Sequence, residues 1–215
     1  MSYELFLGDY AYSSWSLRGW LLFEKFGIDC RTRMLDFSSG ASVAEQLAGL
    51  APARTVPALR TPEGVVVSDS LAIAEELASR HPEAGHWPAN PGARAVARSL
   101  AAEMHSGFAP LREHCPMNLR SAYTGFSPGE DVIADVQRLE TIWRHARVVA
   151  QSATPWLCGN YCAADVFFAP VAARIAGYGL PVSDGAKAYV AAHLADPAFR
   201  RWRAMGLVHG ADLPW

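Results

Sequence analysis

Two adjacent hydroxyl side chains, Ser13 and Ser14, lie where the loop after the first predicted strand turns into the first predicted helix. Backbone N–H groups at a helix N-terminus are free and the helix dipole is positive there, so this place favours an anion. A hydroxyl at this point either caps the helix or donates a hydrogen bond to the bound anion, and both interpretations stay open. No G-x-S-x-G pattern surrounds these serines, so they are not predicted to be covalent nucleophiles of a hydrolase.

A second motif, Thr55-Val56-Pro57, leads into a short apolar run that predicts a strand. Proline donates no backbone hydrogen bond to a sheet ladder, so Pro57 is unusual at this position. If the Val56–Pro57 bond is cis, the turn leaves the N–H and C=O of Val56 free, and an extended peptide can pair with them as an added strand. An ordinary proline at a sheet edge is the alternative.

A third motif, Asp69-Ser70, stands at the start of the next predicted helix. The Ser70 hydroxyl and the free N–H groups can bind a carboxylate, and the Asp69 carboxylate can bind an ammonium group. Simple capping of the helix N-terminus by these short polar side chains is the alternative interpretation.

The first eighty residues alternate short strands and helices that would position these motifs. Helical spacing of apolar residues predicts a helix over residues 14–26, and Pro and Gly between two apolar runs predict a hairpin over 57–67. The other predicted elements are strands at 3–7 and 29–36, a short helix at 41–50, and a helix that starts at 68–70 and ends near 79. The order βαβαββα indicates one mixed α/β sheet.

The second half of the chain has a different pattern of predicted elements. Signals for strands end at a Pro- and Gly-rich stretch over residues 83–92. Helical patterns follow, and Gly107 and Pro110 predict a kink in the first of them. The predicted helices cover 93–113, 130–152, 162–178, 184–195 and 197–206. We therefore divide the chain into an α/β domain at 1–82, a linker at 83–92 and an all-helical domain at 93–215.

Composition excludes several classes of protein. The chain has 215 residues, of which 51% are hydrophobic, and a formal charge of −2. That is enough apolar material for a packed core, and the charge gives no general attraction to nucleic acid or anionic membranes. No run approaches the ~18 apolar residues of a membrane span, and no secretory signal pattern is present. The cysteines and histidines form no metal-ligand spacing, so the sequence predicts a reduced cytoplasmic protein without a metal.

The order of these motifs resembles the cytosolic glutathione S-transferase family over nearly the whole chain. Ser13-x4-Arg18 matches its serine-type members, 55–59 looks like its cis-proline strand, and Asp69-Ser70 looks like its acidic-Ser γ-glutamyl site. Residues 159–165 resemble its G-x-x-[ST]-x-x-D helix-capping box, although Cys162 stands where Ser or Thr is usual. The Ser13-Ser14-Trp15 stretch is most similar to zeta-like bacterial members, with Trp15 in place of the zeta-class cysteine.

The resemblance implies a thioredoxin-like βαβαββα domain that binds glutathione as cosubstrate, followed by a C-terminal helical bundle, in a homodimer. It implies that Ser13, or alternatively Ser14, donates a hydrogen bond to the glutathione thiol. Val56 would hold the cysteinyl backbone, and Asp69 with Ser70 the γ-glutamyl end. The full implied set of glutathione-binding residues is Ser13, Trp15, Thr55, Val56, Pro57, Asp69 and Ser70.

A pocket for a small hydrophobic electrophile should lie between the two halves. The candidate lining residues are Tyr10, Trp15, Met104, His105, Phe108, Arg112 and Met117. Ordinary core packing is the alternative for each of them. His105 and Arg112 are seven residues apart and share a face if their helix is unbroken, where they would bind an acidic substrate or form a structural pair.

The resemblance is compatible with three functions. The first is a detoxifying glutathione transferase that conjugates a small electrophile. The second is a glutathione-dependent cis–trans isomerase similar to maleylacetoacetate isomerase, and the third is a non-catalytic glutathione-binding module. The sequence does not name the electrophile, and it leaves peroxide reduction open as a reaction.

Overall fold

The computed structural model describes residues 2–210 and 212. Its N-terminal part holds a four-stranded sheet in the order β2-β1-β3-β4, in which β1 and β2 are parallel and the other pairs are antiparallel. The strands are β1 (Tyr3–Leu7), β2 (Cys30–Met34), β3 (Ala58–Arg60) and β4 (Val66–Ser68), and the helices are α1 (Ser14–Glu24), α2 (Val43–Gln46) and α3 (Ser70–Arg80). The predicted βαβαββα order is confirmed.

The alternating pattern of β1 explains how helices cover both faces of the sheet. Tyr3, Leu5 and Leu7 are buried in the main core, which includes apolar residues of α1 and α3. Phe6 points to the opposite face and packs against a smaller cluster that contains Leu47 and Leu50, beside α2. Period-two side chains on a strand therefore give two separate cores on the two faces.

The turn before β3 packs directly on α1. The Val56–Pro57 bond is cis, as the resemblance predicts, and a second cis bond at Ala51–Pro52 was not predicted. A Cβ atom added to Gly19 would lie 2.6 Å from Pro57 Cβ and 2.9 Å from Pro57 Cγ. Gly19 therefore lets α1 approach the turn closely, because there is no room for a side chain between them.

We expect Gly19→Ala to lower the free energy of unfolding by about 1–3 kcal/mol, because overpacking a well-packed contact forces the backbone apart. Urea denaturation measures the change. Gly185→Ala in α8 (Asp184–Ala195) is the matched control, since an added Cβ there meets nothing within 4 Å. That control should be neutral or raise stability by about 0.5–1 kcal/mol. Equal effects of the two substitutions would contradict the close contact with Pro57.

The C-terminal part is helical and surrounds one buried helix. Its helices are α4 (Pro91–Ser106), α5 (Ala109–His114), α6 (Glu130–Ala150), α7 (Ala163–Tyr178), α8 (Asp184–Ala195) and α9 (Pro197–Val208). Most side chains of α7 are buried, and this helix contacts α4 and α8 as well as α1 of the N-terminal part. The α1–α7 contact therefore joins the two parts through one core. No helix of residues 2–210 is long and apolar enough to cross a membrane.

The predicted helix over 93–113 is broken rather than kinked. It ends at Ser106, Gly107 is extended, and Phe108 has a left-handed backbone with φ of 58° before α5 begins. Because a left-handed residue ends the α-helical hydrogen-bond pattern, His105 and Arg112 lie on separate helices. The condition for a shared helix face, an unbroken helix, is therefore not met.

The start of α7 is held by a buried carboxylate. Asp165 accepts hydrogen bonds from the Cys162 N–H at 3.0 Å and the Leu157 N–H at 3.2 Å, and from the Tyr189 hydroxyl at 2.8 Å. The residue is fully buried. Asp165 therefore links the loop before α7, the helix N-terminus and α8, whereas Cys162 occupies the position where the resemblance expects a hydroxyl.

Candidate active site

Ser13 is the N-cap of α1, and its hydroxyl is engaged within the protein. Its Oγ accepts a hydrogen bond from the Ser16 N–H at 3.2 Å and donates one to Ser16 Oγ at 2.8 Å. Ser16 Oγ in turn accepts from the Gly8 N–H at 2.7 Å. Ser13 is also buried. Its only hydrogen is therefore donated within the protein, and both hydrogen bonds fix the junction of β1 and α1.

Ser14, the first residue of α1, faces a cavity instead. The cavity measures 390 Å³ and is lined by Ser14, Trp15, Ala109, Arg112, Glu113 and Arg174. The Ser14 Oγ lies 3.5 Å from Arg174 Nη2, which donates to it. Its own hydrogen has no acceptor among the described residues. Of the two predicted serines, Ser14 is the one that can donate a hydrogen bond to a molecule in the cavity.

Trp15 is the apolar wall of this cavity and has charged neighbours. The guanidinium carbon of Arg18 lies 4.5 Å from the Trp15 ring centroid, and that of Arg112 lies 4.8 Å from it. The His105 ring approaches the same indole edge-on, with centroids 5.2 Å apart. Both guanidinium groups are within the distance at which cation–π attraction to the indole is favourable.

Three arginines converge here, and the Asp69 charge favours the charged form of Arg18 without forming an ion pair with it. Arg18 and Arg174 are buried, and no ion pair among the described residues involves either of them or Arg112. The Nε and Nη1 of Arg18 and the Nη1 of Arg174 have no hydrogen-bond partner in this part of the chain. Burial and the Arg174 and Arg112 charges lower the pKa of Arg18, and burial and Arg112 lower the pKa of Arg174 to about 10.

The Asp69-Ser70 motif is connected to Trp15 through His105. Asp69 has a φ of 86°, and its Oδ1 accepts the Leu71 N–H at 2.7 Å, so it caps α3. Its Oδ2 lies 2.9 Å from His105 Nε2. The Ser70 hydroxyl is buried and has no hydrogen-bond partner among the described residues. A contact chain Asp69–His105–Trp15 therefore connects this motif to the cavity beside Ser14.

The cis turn presents free main-chain groups, as expected. Within the described part of the chain, neither the N–H nor the C=O of Val56 forms a hydrogen bond. Pro57 is buried against α1, whereas Thr55 is exposed on the turn. The Val56 main chain is available to an extended peptide.

The remaining predicted pocket residues lie elsewhere. Met104, Phe108 and Met117 are buried in the main core and do not line the cavity, so packing against the core accounts for them. Tyr10 stacks edge-on with Trp202 at 4.7 Å and lines a separate groove of 340 Å³ that includes Phe37 and His209. His105 contacts Asp69 and Trp15 and is not a wall of the cavity.

Arg174 is a site residue that was not predicted from the sequence. Arg18 was named there only as the last residue of the Ser13-x4-Arg18 motif. Arg174 lies within the otherwise apolar stretch of α7 that follows Asp165. An isolated arginine in a buried apolar helix is a signal that could have identified it, because charged residues are rarely buried without a partner. Residues 2–210 contain no group of three His, Cys, Asp or Glu side chains that could hold a metal ion.

Residues 12–80 match the family model for the N-terminal domain of glutathione S-transferases. A maleylacetoacetate isomerase from Dictyostelium discoideum is 29% identical to the chain over 112 residues. The matched region is 52% of this chain and 51% of that relative, so the chain aligns with about half the length of the curated relative.

Solved structures extend the likeness to nearly the whole chain. A glutathione transferase homologue from Burkholderia gl BGR1, solved with bound glutathione, is 25% identical with a TM-score of 0.71. The alignment covers 96% of this chain and 98% of that structure. A glutathione transferase from Methylococcus capsulatus has a TM-score of 0.67 at 20% identity, over 96% of this chain and all of that one. The fold is therefore the glutathione S-transferase fold.

Proposed function

We propose that the chain is a glutathione S-transferase, an enzyme that activates the glutathione thiol for attack on a small electrophile. The family match of residues 12–80 and the shared fold support this proposal. The observation that carries the proposal is the cavity at the N-terminus of α1, which is lined by Ser14, Trp15 and Arg174. The Ser14 hydroxyl accepts from Arg174, and its hydrogen has no acceptor within the described part of the chain. The glutathione bound in the Burkholderia structure supports the choice of cosubstrate.

We propose that the tripeptide lies across the N-terminal domain in an extended form. Asp69 would accept the γ-glutamyl ammonium group, and the buried, unpartnered Ser70 hydroxyl would donate to its carboxylate. The free N–H and C=O of Val56 would pair with the cysteinyl backbone as an added strand. This placement directs the thiol to the start of α1.

Ser14 is the better candidate for contact with the sulfur, although the family pattern points first to Ser13. The Ser13 hydroxyl is buried and donates to Ser16, whereas the Ser14 hydrogen has no acceptor among residues 2–210 and 212. A free thiol has a pKa near 8.5, and lowering it by about two units requires about 2.7 kcal/mol of preferential stabilisation of the thiolate. A hydrogen bond to the charged sulfur supplies about 1.5–3 kcal/mol and the helix N-terminus about 0.3–1 kcal/mol. Ser14 would thus act as a donor and form no covalent bond.

An ultraviolet titration of the thiolate of bound glutathione tests this role. In the wild type the thiol pKa should be lowered, and in Ser14→Ala it should rise by about one unit or more, because a charge-assisted hydrogen bond contributes about 1.5–3 kcal/mol. Turnover at neutral pH should fall with the thiolate fraction, by about tenfold or more.

Ser13→Ala is the matched control, because it removes a neighbouring hydroxyl that serves mainly as the helix cap. We expect it to lower stability by about 0.5–2 kcal/mol and to leave the thiol pKa near the wild-type value. If Ser13→Ala raised the thiol pKa and Ser14→Ala did not, the assignment of the two serines would be reversed. An unshifted thiol in the wild type would instead favour a non-catalytic glutathione-binding module.

Isomerisation is the second candidate reaction, and the similarity to a maleylacetoacetate isomerase favours it. In that reaction glutathione adds to a double bond and leaves again, so no glutathione is consumed. Analysis of free glutathione and product after turnover separates isomerisation from conjugation. A homodimer, a cytoplasmic location and a role in detoxification remain proposals from the resemblance, and light scattering of the purified protein tests the first of them.

A further inference from the structure

We infer that the cavity beside Ser14 binds an electrophile that carries one carboxylate, held by Arg112 and Arg174. This inference rests on the proposed glutathione transferase activity and names the class of its second substrate. It departs from the expectation of a purely hydrophobic electrophile.

The charge balance of the site gives the first argument. Arg18, Arg112 and Arg174 surround Trp15 and Ser14, and no described carboxylate forms an ion pair with any of them. A buried charge is costly unless it is paired, so such a group of guanidinium groups needs anions from bound molecules. The Asp69 charge acts on Arg18, and a glutathione thiolate at Ser14 would supply one further negative charge. Arg112 and Arg174 together therefore still lack one anion, which a second bound molecule can supply.

The free donors give the second argument. Arg174 is 5% exposed, its Nε donates to the Cys115 carbonyl at 2.8 Å, and its Nη1 has no partner among the described residues. Besides its cation–π contact with Trp15, the Arg112 guanidinium donates two long hydrogen bonds within the described residues, to the His105 and Gly107 carbonyls at 3.5 Å and 3.4 Å. Both residues line the cavity with Ser14. Guanidinium groups match the planar geometry of a carboxylate, so unsatisfied donors on two of them point to that group.

The size and walls of the cavity limit the rest of the molecule. Ligand sites commonly measure about 300–1,000 Å³, so a cavity of 390 Å³ is small and suits a compound with a single ring. Trp15 offers an aromatic face against which such a ring can stack. The exposed Glu113 also lines the cavity and opposes a second negative charge on the ligand. A monocarboxylate is therefore favoured over a dicarboxylate.

A matched pair of electrophiles tests the inference: 4-(chloromethyl)benzoate and its uncharged amide. In both, the glutathione sulfur forms a bond to the benzylic carbon as the carbon–chlorine bond breaks. Chloride leaves with the bonding electron pair, and the thiol proton passes to solvent. After correction for the uncatalysed rates, we expect kcat/KM for the acid to exceed that for the amide by about tenfold or more. A ratio near one in the wild type would overturn the inference.

Variants connect the preference to the arginines. Arg112→Gln should reduce the acid-over-amide ratio about tenfold, and Arg112→Lys, which keeps the charge without the planar fork, should reduce it less. Arg144→Gln, on the exposed side of α6, is the control for the loss of one positive charge and should keep the wild-type ratio. A ratio that falls equally in the Arg112 and Arg144 variants would overturn the site and indicate a general charge effect.

Calorimetric binding of 4-methylbenzoate and 4-methylbenzamide to the glutathione-free protein separates this inference from the proposed function. We expect the acid to bind at least about tenfold more tightly than the amide, with weaker binding in Arg112→Gln. If the protein fails to turn over any electrophile but shows this preference, the proposed activity is wrong and the carboxylate site stands. Equal binding of acid and amide would contradict the carboxylate site whatever the activity.

Discussion

Asp165→Ala is expected to lower the free energy of unfolding by at least about 3 kcal/mol. The substitution leaves three buried donors without an acceptor, and each unpaired donor costs about 1–3 kcal/mol. The lost hydrogen bonds include the one that caps α7 and the one from the Tyr189 hydroxyl, which connects α8 to the start of α7. Because α7 also contacts α1, we expect the two domains to be destabilised together.

Equilibrium unfolding in urea, followed by circular dichroism, measures this loss. Ser183→Ala is the matched control, since Ser183 caps α8 through a single hydrogen bond to the Ala186 N–H at 3.4 Å. We expect that control to cost about 0.5–2 kcal/mol, as an ordinary N-cap does. If Asp165→Ala proves too unstable to purify, Asp165→Asn, which keeps one carbonyl acceptor, should show an intermediate loss. A cost for Asp165→Ala no larger than that of Ser183→Ala would contradict its place at the centre of three hydrogen bonds.

Local patterns were enough to predict the elements, because each has its own periodicity and its own stop signal. The α1 prediction followed from apolar spacing, and that helix ends at Glu24, close to the predicted end at 26. The break after Ser106 was harder to predict, because Gly107 and Pro110 are both tolerated near a kink. What broke the helix was the left-handed backbone of Phe108, a conformation that bulky residues seldom adopt. Its ring is buried in the core, and that tertiary contact is not visible in local sequence.

The sequence alone could not determine which of the two serines, Ser13 or Ser14, faces the cavity. Successive residues on a helix differ by about 100° in direction, because an α-helix has 3.6 residues per turn. Which of Ser13 and Ser14 faces the cavity therefore depends on the residue at which α1 begins. The pattern gave a boundary near these residues, whereas the structure gives Ser13 as the cap and Ser14 as the first helical residue.

The residues that line the cavity were difficult to predict from the sequence for a different reason. Methionine and phenylalanine suit a core and a hydrophobic pocket equally, so Met104, Phe108 and Met117 gave no basis for a choice. The convergence of Arg18, Arg112 and Arg174 brings together α1, α5 and α7, which are far apart in sequence. Only the packing of α7 against α1 makes these guanidinium groups neighbours.

Asp69→Asn is expected to weaken glutathione binding by about ten- to a hundredfold, with little change in the thiol pKa. Its carboxylate already uses Oδ1 for the Leu71 N–H and Oδ2 for His105, yet the side chain stays half-exposed and can still accept an ammonium group. A hydrogen bond between charged groups contributes about 1.5–3 kcal/mol, which corresponds to that change in affinity. Asparagine keeps the capping oxygen, so we expect the free energy of unfolding to change by less than about 1 kcal/mol.

Titration calorimetry with glutathione measures the affinity, and initial rates at varied glutathione separate KM from kcat. We expect KM to rise while kcat falls much less, because Asp69 would contact the γ-glutamyl end and not the sulfur. Glu103→Gln is the control for the loss of one negative charge nearby, since Glu103 lies on α4 and pairs with the exposed Arg138. Unchanged affinity in Asp69→Asn would show that the γ-glutamyl group binds elsewhere. A loss confined to kcat would instead connect Asp69 to the reacting atoms through His105 and Trp15.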